Sequence, residues 1–446
     1  MKRLIPFLAL ILLATTTFAE TFSTGGPRTT NNDDTCDVAV LPAATLLLPY
    51  FEVDMDVPAT GQTTLFTITN VTNVDRIARA TLWTDYGYPV ITFNIYLTGY
   101  DVQSINLFDV IRRGIIAPDA GTGTAVRPRG SFSDPNAALD LSRCNRLPGA
   151  LDHAYVKRMM DAFTRGTVDP LGNVVPGCSA VGTPHQHATG YATIDVVGSC
   201  TTNQPTDDEY FREDIRYDNV LTGDYQQVDP SSDYAQANPL VHIRAMPEGG
   251  TPTSRQSGAE NQVNFERTFY DRISPATFND ARQPLPSTFA ARWIQGGPLS
   301  FRTLFKIWRE VPTGADADCG DYAANGSMPV TEVVVFDENE NFVAHRPIEI
   351  PVRKLTATSI LESADQILPQ LTNGAVSGWT YFNLDVESED DEATQNWIIV
   401  SMRSQGQYSV DFDAIALGNG CSAERGSSEA WAEGGTTIGP APNTTP

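Results

Sequence analysis

The stretch Thr63–Leu107 constrains the fold more than any other part of the 446-residue chain. Apolar side chains recur at every second residue in its successive segments, as at Phe66 and Ile68 and again at Phe93 and Ile95. Alternation of this kind, rich in β-branched and aromatic residues, is typical of strands with one buried face. Glycine and proline separate the segments, as turn residues do. The stretch therefore predicts four antiparallel strands in series.

Strand patterns return after Ser287 and continue to Leu417. Because β patterns at both ends flank a mixed middle, we predict a mainly β protein, an antiparallel β-sandwich of the immunoglobulin-like or jelly-roll type. It would be formed by residues 36–111 and 287–421, and a mixed α/β insertion, 112–286, would interrupt it. Two separate domains in series are the alternative.

The insertion carries the clearest helical pattern of the chain, over Pro148–Arg165. Its apolar residues recur at every fourth position, at Leu151, Tyr155, Met159 and Phe163. This spacing builds one apolar stripe along a helix. Before the four predicted strands, Thr45–Val53 is predicted to form a strand that contains Pro49. Since proline cannot donate to a strand ladder, we expect an edge strand or a bulge there.

The first residues indicate export. Met1–Ala19 combines an early Lys2 and Arg3, an apolar run and a small-x-small cleavage site, as a secretory signal peptide does. Residues 20–35 and 422–446 are polar and rich in small residues, which predicts a flexible leader and a disordered tail. No later segment is long and apolar enough to predict a membrane span. We therefore expect a periplasmic or extracellular protein.

The charge balance excludes one class of partner. The chain has 30 basic and 54 acidic residues, a formal net charge of −24. A field of this sign repels phosphate, so no nucleic-acid partner is expected. The partners that remain open are a carbohydrate or another envelope protein.

Six cysteines in an exported chain predict three disulfides. The cysteines are Cys36, Cys144, Cys178, Cys200, Cys319 and Cys421. Fifteen pairings are possible, and the one bond we favour joins Cys36 to Cys421. No two lie at the close spacing typical of zinc ligands, so no cysteine metal site is predicted.

The most suggestive short motif is His185-Gln186-His187. In an extended segment the two imidazoles point the same way, so they are candidates for binding a ligand. An exposed polar loop explains the motif equally simply, and no third ligand stands nearby in sequence to predict a metal. The chain has none of the common local signatures of hydrolases, nucleotide-binding proteins or zinc proteases.

A second candidate site lies on two predicted strands. Gly190–Val197 carries Asp195, and Pro239–Ala245 places His242 and Arg244 on one face. If these strands pair, the three side chains form a polar cluster that could bind a ligand. The alternative is a solvated sheet face with ordinary charge pairs across the strands.

Two acidic loops, Asp337–Asn341 and Glu387–Glu392, offer carboxylates to calcium. The first resembles the start of an EF-hand loop but has Phe342 where that loop requires glycine. The second reads as a charged hairpin tip, and charge runs of this kind are usually solvated. Calcium is therefore an alternative that these loops leave open, and no cofactor is predicted.

These observations favour a non-enzymatic, exported binding or structural protein of a bacterial envelope or the extracellular space, with an unknown ligand. The alternative is a secreted hydrolase that cleaves an extracellular polymer through paired carboxylates. Two such groups about 5–10 Å apart are enough for glycoside hydrolysis, and no local motif reveals them. An enzyme of that kind needs a cleft that holds a carboxylate with a raised pKa.

Overall fold

The computed structural model describes residues 38–57, 61–115, 131–132, 151, 153–167, 181–201, 203–246, 248, 268–270, 273, 280–310, 327–351, 355–359, 375–384, 395–404 and 409–416. Within these ranges the protein is mainly β, with antiparallel sheets. The expected signal peptide, leader and C-terminal tail lie outside the described residues. No helix in the described part of the chain is long and apolar enough to cross a membrane.

The elements follow one another in this order: β1 (Thr45–Val53), β2 (Thr63–Asn70), β3 (Arg76–Thr84), β4 (Pro89–Leu97), β5 (Val102–Asn106), α1 (Leu107–Arg113), β6 (Ser131–Phe132), α2 (His153–Arg165), β7 (Ala188–Val197), a π-helical turn (Tyr210–Asp214), β8 (Leu221–Asp229), a 3₁₀ turn (Pro230–Ser232), β9 (Tyr234–Pro239), β10 (Val241–Ile243), β11 (Thr288–Ile294), β12 (Arg302–Arg309), β13 (Ser327–Asp337), β14 (Phe342–Pro351), β15 (Leu355–Ser359), β16 (Ser377–Asn383), β17 (Asn396–Arg403), β18 (Ser409–Asp413) and β19 (Ile415–Ala416).

The N-terminal strands form two sheets around one core. The first sheet has the order β10-β1-β7-β3-β4-β6, and the second has the order β5-β2-β8-β9. Their shared core includes Leu46 and Phe93 from the first sheet and Phe66 and Ile68 from the second. The alternation predicted for β2 is confirmed, because every second residue from Thr64 onward is buried.

The strands after Ser287 form a second pair of sheets. The third sheet has the order β14-β13-β16-β11-β19, and the fourth has the order β15-β12-β17-β18. Their core includes Phe289 and Val333 from the third sheet and Phe305 and Val400 from the fourth. The turn predicted at Asp337–Asn341 is confirmed as the connection of the β13–β14 hairpin.

A further buried cluster, which we call the junction, joins the two pairs of sheets. It contains Trp83 and Tyr191 from the first sheet and Trp308 and Ile399 from the fourth. The rings of Trp83 and Tyr191 stack with centroids 5.8 Å apart, and Tyr191 meets Trp308 edge-on at 6.0 Å. Aromatic pairs of this geometry add to the free energy gained from burial. The junction therefore fixes the first sheet against the fourth.

The predicted helix is confirmed over its described part, His153–Arg165. Met159 and Phe163 enter the N-terminal core, and Leu151 and Tyr155 pack against it. At Pro49 the bulge alternative applies, because β1 pairs on both sides and its register with β7 shifts between Leu48 and Phe51.

Hydrogen bonding groups the strands by their position along the chain. Strands β7 to β10 come from the predicted insertion, yet they pair with the N-terminal strands. Strands β11 to β19 pair among themselves. This is the grouping that two domains in series would give. The domain boundaries themselves, 36–111 and 287–421 around 112–286, stay predictions.

Of the six cysteines, only Cys200 lies among the described residues. Its side chain is buried and is not a free thiol. The predicted pairings, including Cys36 with Cys421, involve residues outside the described ranges.

Candidate functional site

The two histidines of the His185-Gln186-His187 motif are held by different carboxylates. His185 Nε2 lies 3.0 Å from Asp85 Oδ2, and His187 Nδ1 lies 2.8 Å from Glu52 Oε1. Both imidazoles are about three-quarters buried, with 26% of each side chain exposed. Each therefore already has a partner within the protein. Among the residues that the structure describes, no group of three or more histidines, cysteines or carboxylates is arranged to hold a metal ion.

Asp195 is the centre of a closed polar network. Its side chain is 0% exposed. The carboxylate accepts three hydrogen bonds, from Thr45 Oγ1 at 2.6 Å, Tyr210 Oη at 2.7 Å and Tyr270 Oη at 2.8 Å. Burial raises the pKa of Asp195, and the nearby charge of Arg282 and these hydrogen bonds act against the rise. The network holds loop residues onto the outer face of the first sheet.

His242 and Arg244 do not join Asp195. Strand β1 lies between β7 and β10, so Asp195 and His242 do not face each other across paired strands. Asp195 is opposite Thr45, whereas His242 is opposite the next residue, Leu46. Neighbouring residues of a strand point to opposite faces, which places Asp195 and His242 on opposite sides of the sheet. Arg244 donates from Nε to the carbonyl of Pro42 at 3.2 Å.

Three of the residues around Asp195 were missed because they come from outside regular strands. Tyr210 lies in the π-helical turn, and Tyr270 and Arg282 lie in loops. The sequence signal closest to these contacts was the stretch Glu209–Pro230, which contains Tyr210. It is rich in tyrosine and aspartate, and no structure was predicted for it. Composition alone does not indicate which tyrosine approaches which carboxylate.

A second titratable cluster lies where the two pairs of sheets meet. Lys306 of β12 places Nζ 3.6 Å from Glu52 Oε2 and 3.8 Å from the ring centre of Tyr50. Tyr50 also donates to Glu52 at 2.8 Å. Burial by itself would raise the pKa of Glu52, but the Lys306 charge and the hydrogen bonds from Tyr50 and His187 lower it to about 2. Burial lowers the pKa of Lys306 to about 8, against the attraction of Glu52.

A cleft of about 420 Å³ opens between the two pairs of sheets. Its lining comes from the segment before β1, from β8 to β10, and from β17 to β19: Val38, Ala39, Val40, Tyr225, Asn238, Pro239, Leu240, Val241, His242, Trp397, Ile398, Ile399, Ala414, Ile415 and Ala416. The side chains are mainly apolar, and none of these described residues carries a carboxylate, an ammonium or a guanidinium group. The cleft therefore offers a ligand mainly apolar side chains and a few polar ones.

His242 is the predicted site residue that lines this cleft. Its side chain is 1% exposed, and Nε2 lies 3.3 Å from both the amide nitrogen and the carbonyl oxygen of Gly223. Burial lowers the pKa of the imidazole, so the neutral ring is favoured. Hydrogen bonds with the backbone of Gly223 and Leu41 act against this lowering of the pKa.

Calcium was left open at two acidic loops, and the structure describes only the first of them. At the first, the Asp337 carboxylate accepts hydrogen bonds from the backbone of Asn339 and Asn341 and from the Asn341 side chain. The side-chain hydrogen bond from Asn341 is the main cause of the lowered pKa of Asp337. The carboxylate thus stabilises its own turn. The second loop, Glu387–Glu392, lies outside the described residues, and calcium binding stays untested.

No protein-family model, no curated protein and no solved structure matches this chain. Its function therefore has to be inferred from the geometry of the residues described above.

Proposed function

We propose that this protein is a non-enzymatic, exported binding or structural component of a bacterial envelope or the extracellular space, and that the cleft is its binding site. One observation carries the proposal. The described residues that line the cleft are mainly apolar with a few polar ones, and none of them is a carboxylate. A polymer hydrolase of the paired-carboxylate type needs its acid within the substrate cleft. A binding site needs only an apolar surface and a small number of polar anchors.

Two of the carboxylates with shifted pKa values, Asp195 and Glu52, support the same proposal. Asp195 has the raised pKa that a general acid requires, but it is fully buried beneath its hydrogen-bond partners. Glu52 is partly exposed, but its pKa of about 2 leaves it ionised and weakly basic at neutral pH. In both cases the neighbours of the carboxylate stabilise the fold. These groups contribute to stability in this proposal, and ligand binding belongs to the cleft.

For the architecture, we propose that each pair of sheets is an antiparallel β-sandwich of the immunoglobulin-like or jelly-roll type, whereas the sequence predicted one such sandwich built from both ends of the chain. Support comes from the two cores, since each one contains side chains from two sheets. Facing sheets that share a core are the defining arrangement of a sandwich.

Export is proposed from Met1–Ala19 and from the six cysteines, which would form three disulfides in an oxidising compartment. We expect thiol alkylation of the denatured mature protein to label no cysteine before reduction and all six after it, as measured by mass spectrometry. Loss of each bond is expected to cost about 2–5 kcal/mol of stability. Two or more cysteines labelled before reduction would contradict the proposal.

The proposed partners are a carbohydrate or another envelope protein, and a nucleic acid is not proposed because the net charge is −24. To test the function, purified protein is incubated with polysaccharide, ester and peptide substrates. We expect no turnover above a heat-denatured control. Turnover that one Asp or Glu substitution abolishes, without loss of the fold, would establish the hydrolase alternative instead.

A further inference from the structure

We propose that Trp431, from the segment 417–446 that follows β19, occupies the cleft and blocks it against other apolar ligands. The occupant is then part of the chain itself, held near its site by a short connection. The blocking role rests on the proposed binding function, since it treats the cleft as the binding site. Three observations carry the inference: the place where the chain leaves the described residues, the exposed apolar rim of the cleft, and the composition of the segment.

The chain leaves the described residues at the cleft itself. Ala416 is the last described residue before the segment 417–446, and it lines the cleft. Trp431 follows fifteen residues later, after a stretch rich in glycine and serine. A chain of this length and composition spans about 20 Å on average, which allows it to return to its starting point. Short connections of this kind give effective concentrations in the millimolar range, so a weak affinity is enough to fill the site.

The rim of the cleft exposes apolar surface that a docked side chain would cover. Val40 and Ile415 line the cleft and are 65% and 66% exposed. The ring of Trp397 also lines the cleft and is only partly buried. Exposed apolar surface that is contiguous often marks a binding site. An aromatic occupant suits this one, because a ring pair with Trp397 would add to the free energy gained from burial.

Trp431 is the side chain of the segment that can bury the most apolar surface. The other large apolar residues between 417 and 446 are Leu417, which directly follows the cleft residue Ala416, and Ile438. A tryptophan buries about 150–250 Å² when it packs. The other five tryptophans of the chain all lie in β-strands of the two pairs of sheets. A tryptophan in a polar segment beside an apolar cleft is therefore a candidate for docking into it.

The neighbours of Trp431 match the size and the chemistry of the cleft. Ala430 and Ala432 are small and uncharged, and Glu429 and Glu433 come only beyond them. The cleft volume of about 420 Å³ lies in the lower part of the range of about 300–1,000 Å³ for ligand sites. That volume suits one large ring with small neighbours. The two carboxylates can stay in water, so no charge has to enter a lining that offers it no partner among its described residues.

The segment before Val38 is the rival source of an occupant, because Val38 also lines the cleft. The large apolar residue of that segment in the predicted mature chain is Phe22. Its ring is smaller than that of Trp431, and it lies between Thr21 and Ser23. The tryptophan therefore offers the cleft more apolar surface.

Fluorescence of Trp431 in the purified mature protein tests the docking. Its emission is obtained as the difference between proteins with and without Trp431→Phe, a substitution that keeps an aromatic ring. We expect acrylamide to quench this emission at least about threefold less than in urea-denatured protein. Ile415→Asp places a charge on the rim and is expected to remove most of this protection. Its matched control is Val376→Asp, 54% exposed and outside the cleft, which is expected to keep the protection.

Trypsin cleavage after Arg425 is the second measurement, because a docked Trp431 restrains the connection that contains this site. We expect Trp431→Ala to raise the cleavage rate at least about fivefold, since proteolysis follows the population of the open form. The matched controls are Ile438→Ala and Phe22→Ala, which are expected to change the rate by less than about twofold. Mass spectrometry of the released peptide 426–446 gives the rates.

Blocking of the cleft is measured with Nile red, an uncharged apolar dye. A site that is free in only part of the molecules binds its ligand more weakly by that fraction. We therefore expect Trp431→Ala to bind the dye at least about threefold more tightly than the wild type. Adding Ile415→Asp to that variant is expected to remove the gain, which places the dye in the cleft.

The opposite results would overturn the inference. Quenching of Trp431 that is the same in the wild type and in Ile415→Asp would exclude docking at the cleft, and so would an equal effect of Val376→Asp. A response to Phe22→Ala or Ile438→Ala instead of Trp431→Ala would assign another occupant. Protection that increases with protein concentration would assign a second copy of the chain. Unchanged dye binding would exclude blocking. The proposed function fails separately, by turnover in the substrate screen.

Discussion

Asp195→Asn is expected to destabilise the protein by about 1–3 kcal/mol, because an amide cannot accept all three hydrogen bonds that the buried carboxylate accepts. Arg282 Nε donates to Thr45 Oγ1 at 2.5 Å, and the same hydroxyl donates to Asp195. The substitution removes a negative charge near the buried Arg282 guanidinium, which keeps its ion pair with Asp280 at 2.9 Å. It also introduces an amide nitrogen, a donor, where hydroxyl donors already point. Chemical denaturation at pH 7 measures the loss as a lower midpoint.

The matched control is Asp224→Asn, which makes the same chemical change at an exposed position of β8. We expect it to alter the free energy of unfolding by less than about 0.5 kcal/mol. Tyr210→Phe removes one of the three hydrogen bonds to Asp195 and is expected to cost about 1 kcal/mol. An Asp195→Asn protein within about 1 kcal/mol of the wild type would show that the network does not stabilise the fold.

The strand segments were predictable from the sequence because they bury one face. In β2 the buried residues Phe66 and Ile68 alternate with partly exposed threonines, so the pattern and the structure agree. In β3 the same pattern was incomplete, because both faces are buried. Arg79 is a charged residue of this strand, yet it is buried and donates to the carbonyl of Asn203 and to Asn94 and Thr92. Partners distant in sequence make this burial possible, and a local pattern does not reveal them.

The candidate site was harder to predict because its contacts are distant along the chain. His187 and Glu52 are 135 residues apart, and His185 and Asp85 are 100 residues apart. The predicted cluster of Asp195, His242 and Arg244 does not come together in the structure. His242 lines the cleft, but its neighbours there come from β8, β9 and the C-terminal strands, and Asp195 is not among them. The cleft exists only when the two pairs of sheets are brought together.

Glu52→Gln is expected to cost about 3–5 kcal/mol, because it leaves a buried ammonium without a negative partner. Lys306 is 4% exposed as a side chain, and Glu52 is its ion-pair partner across the boundary between the two pairs of sheets. The amide of a glutamine still accepts from Tyr50, so the loss comes from the charge. Adding Lys306→Met to the Glu52→Gln variant removes the ammonium group that has lost its partner. We expect this double variant to recover most of the lost free energy of unfolding.

The contribution of the Glu52–Lys306 pair to stability is also expected to depend on pH. The pKa of Glu52 is lowered from 4.5 to about 2, so its contribution to stability is complete above pH 4.5 and is lost as the pH falls toward 2. This contribution amounts to about 3 kcal/mol. Lys306 acts in the opposite sense: its pKa falls from 10.5 to about 8, so burial of its charge costs stability below pH 8 and the cost is relieved as the pH rises toward 10.5. At the lysine, burial therefore outweighs the attraction of Glu52.

Measuring the free energy of unfolding from pH 2 to pH 10 separates these contributions. The measurement is made on the wild type, on Glu52→Gln, on Lys306→Met and on the double variant. We expect the difference between the wild type and Glu52→Gln to be largest near neutral pH and to shrink below pH 4.5, where Glu52 begins to lose its contribution in the wild type. The control is Glu338→Gln, since Glu338 pairs with Arg292 at the surface and the pair is about half exposed. An exposed ion pair is worth about 0–1 kcal/mol, so this variant should stay close to the wild type at every pH. Equal losses from Glu52→Gln and Glu338→Gln would mean that the Glu52–Lys306 pair does not hold the two pairs of sheets together.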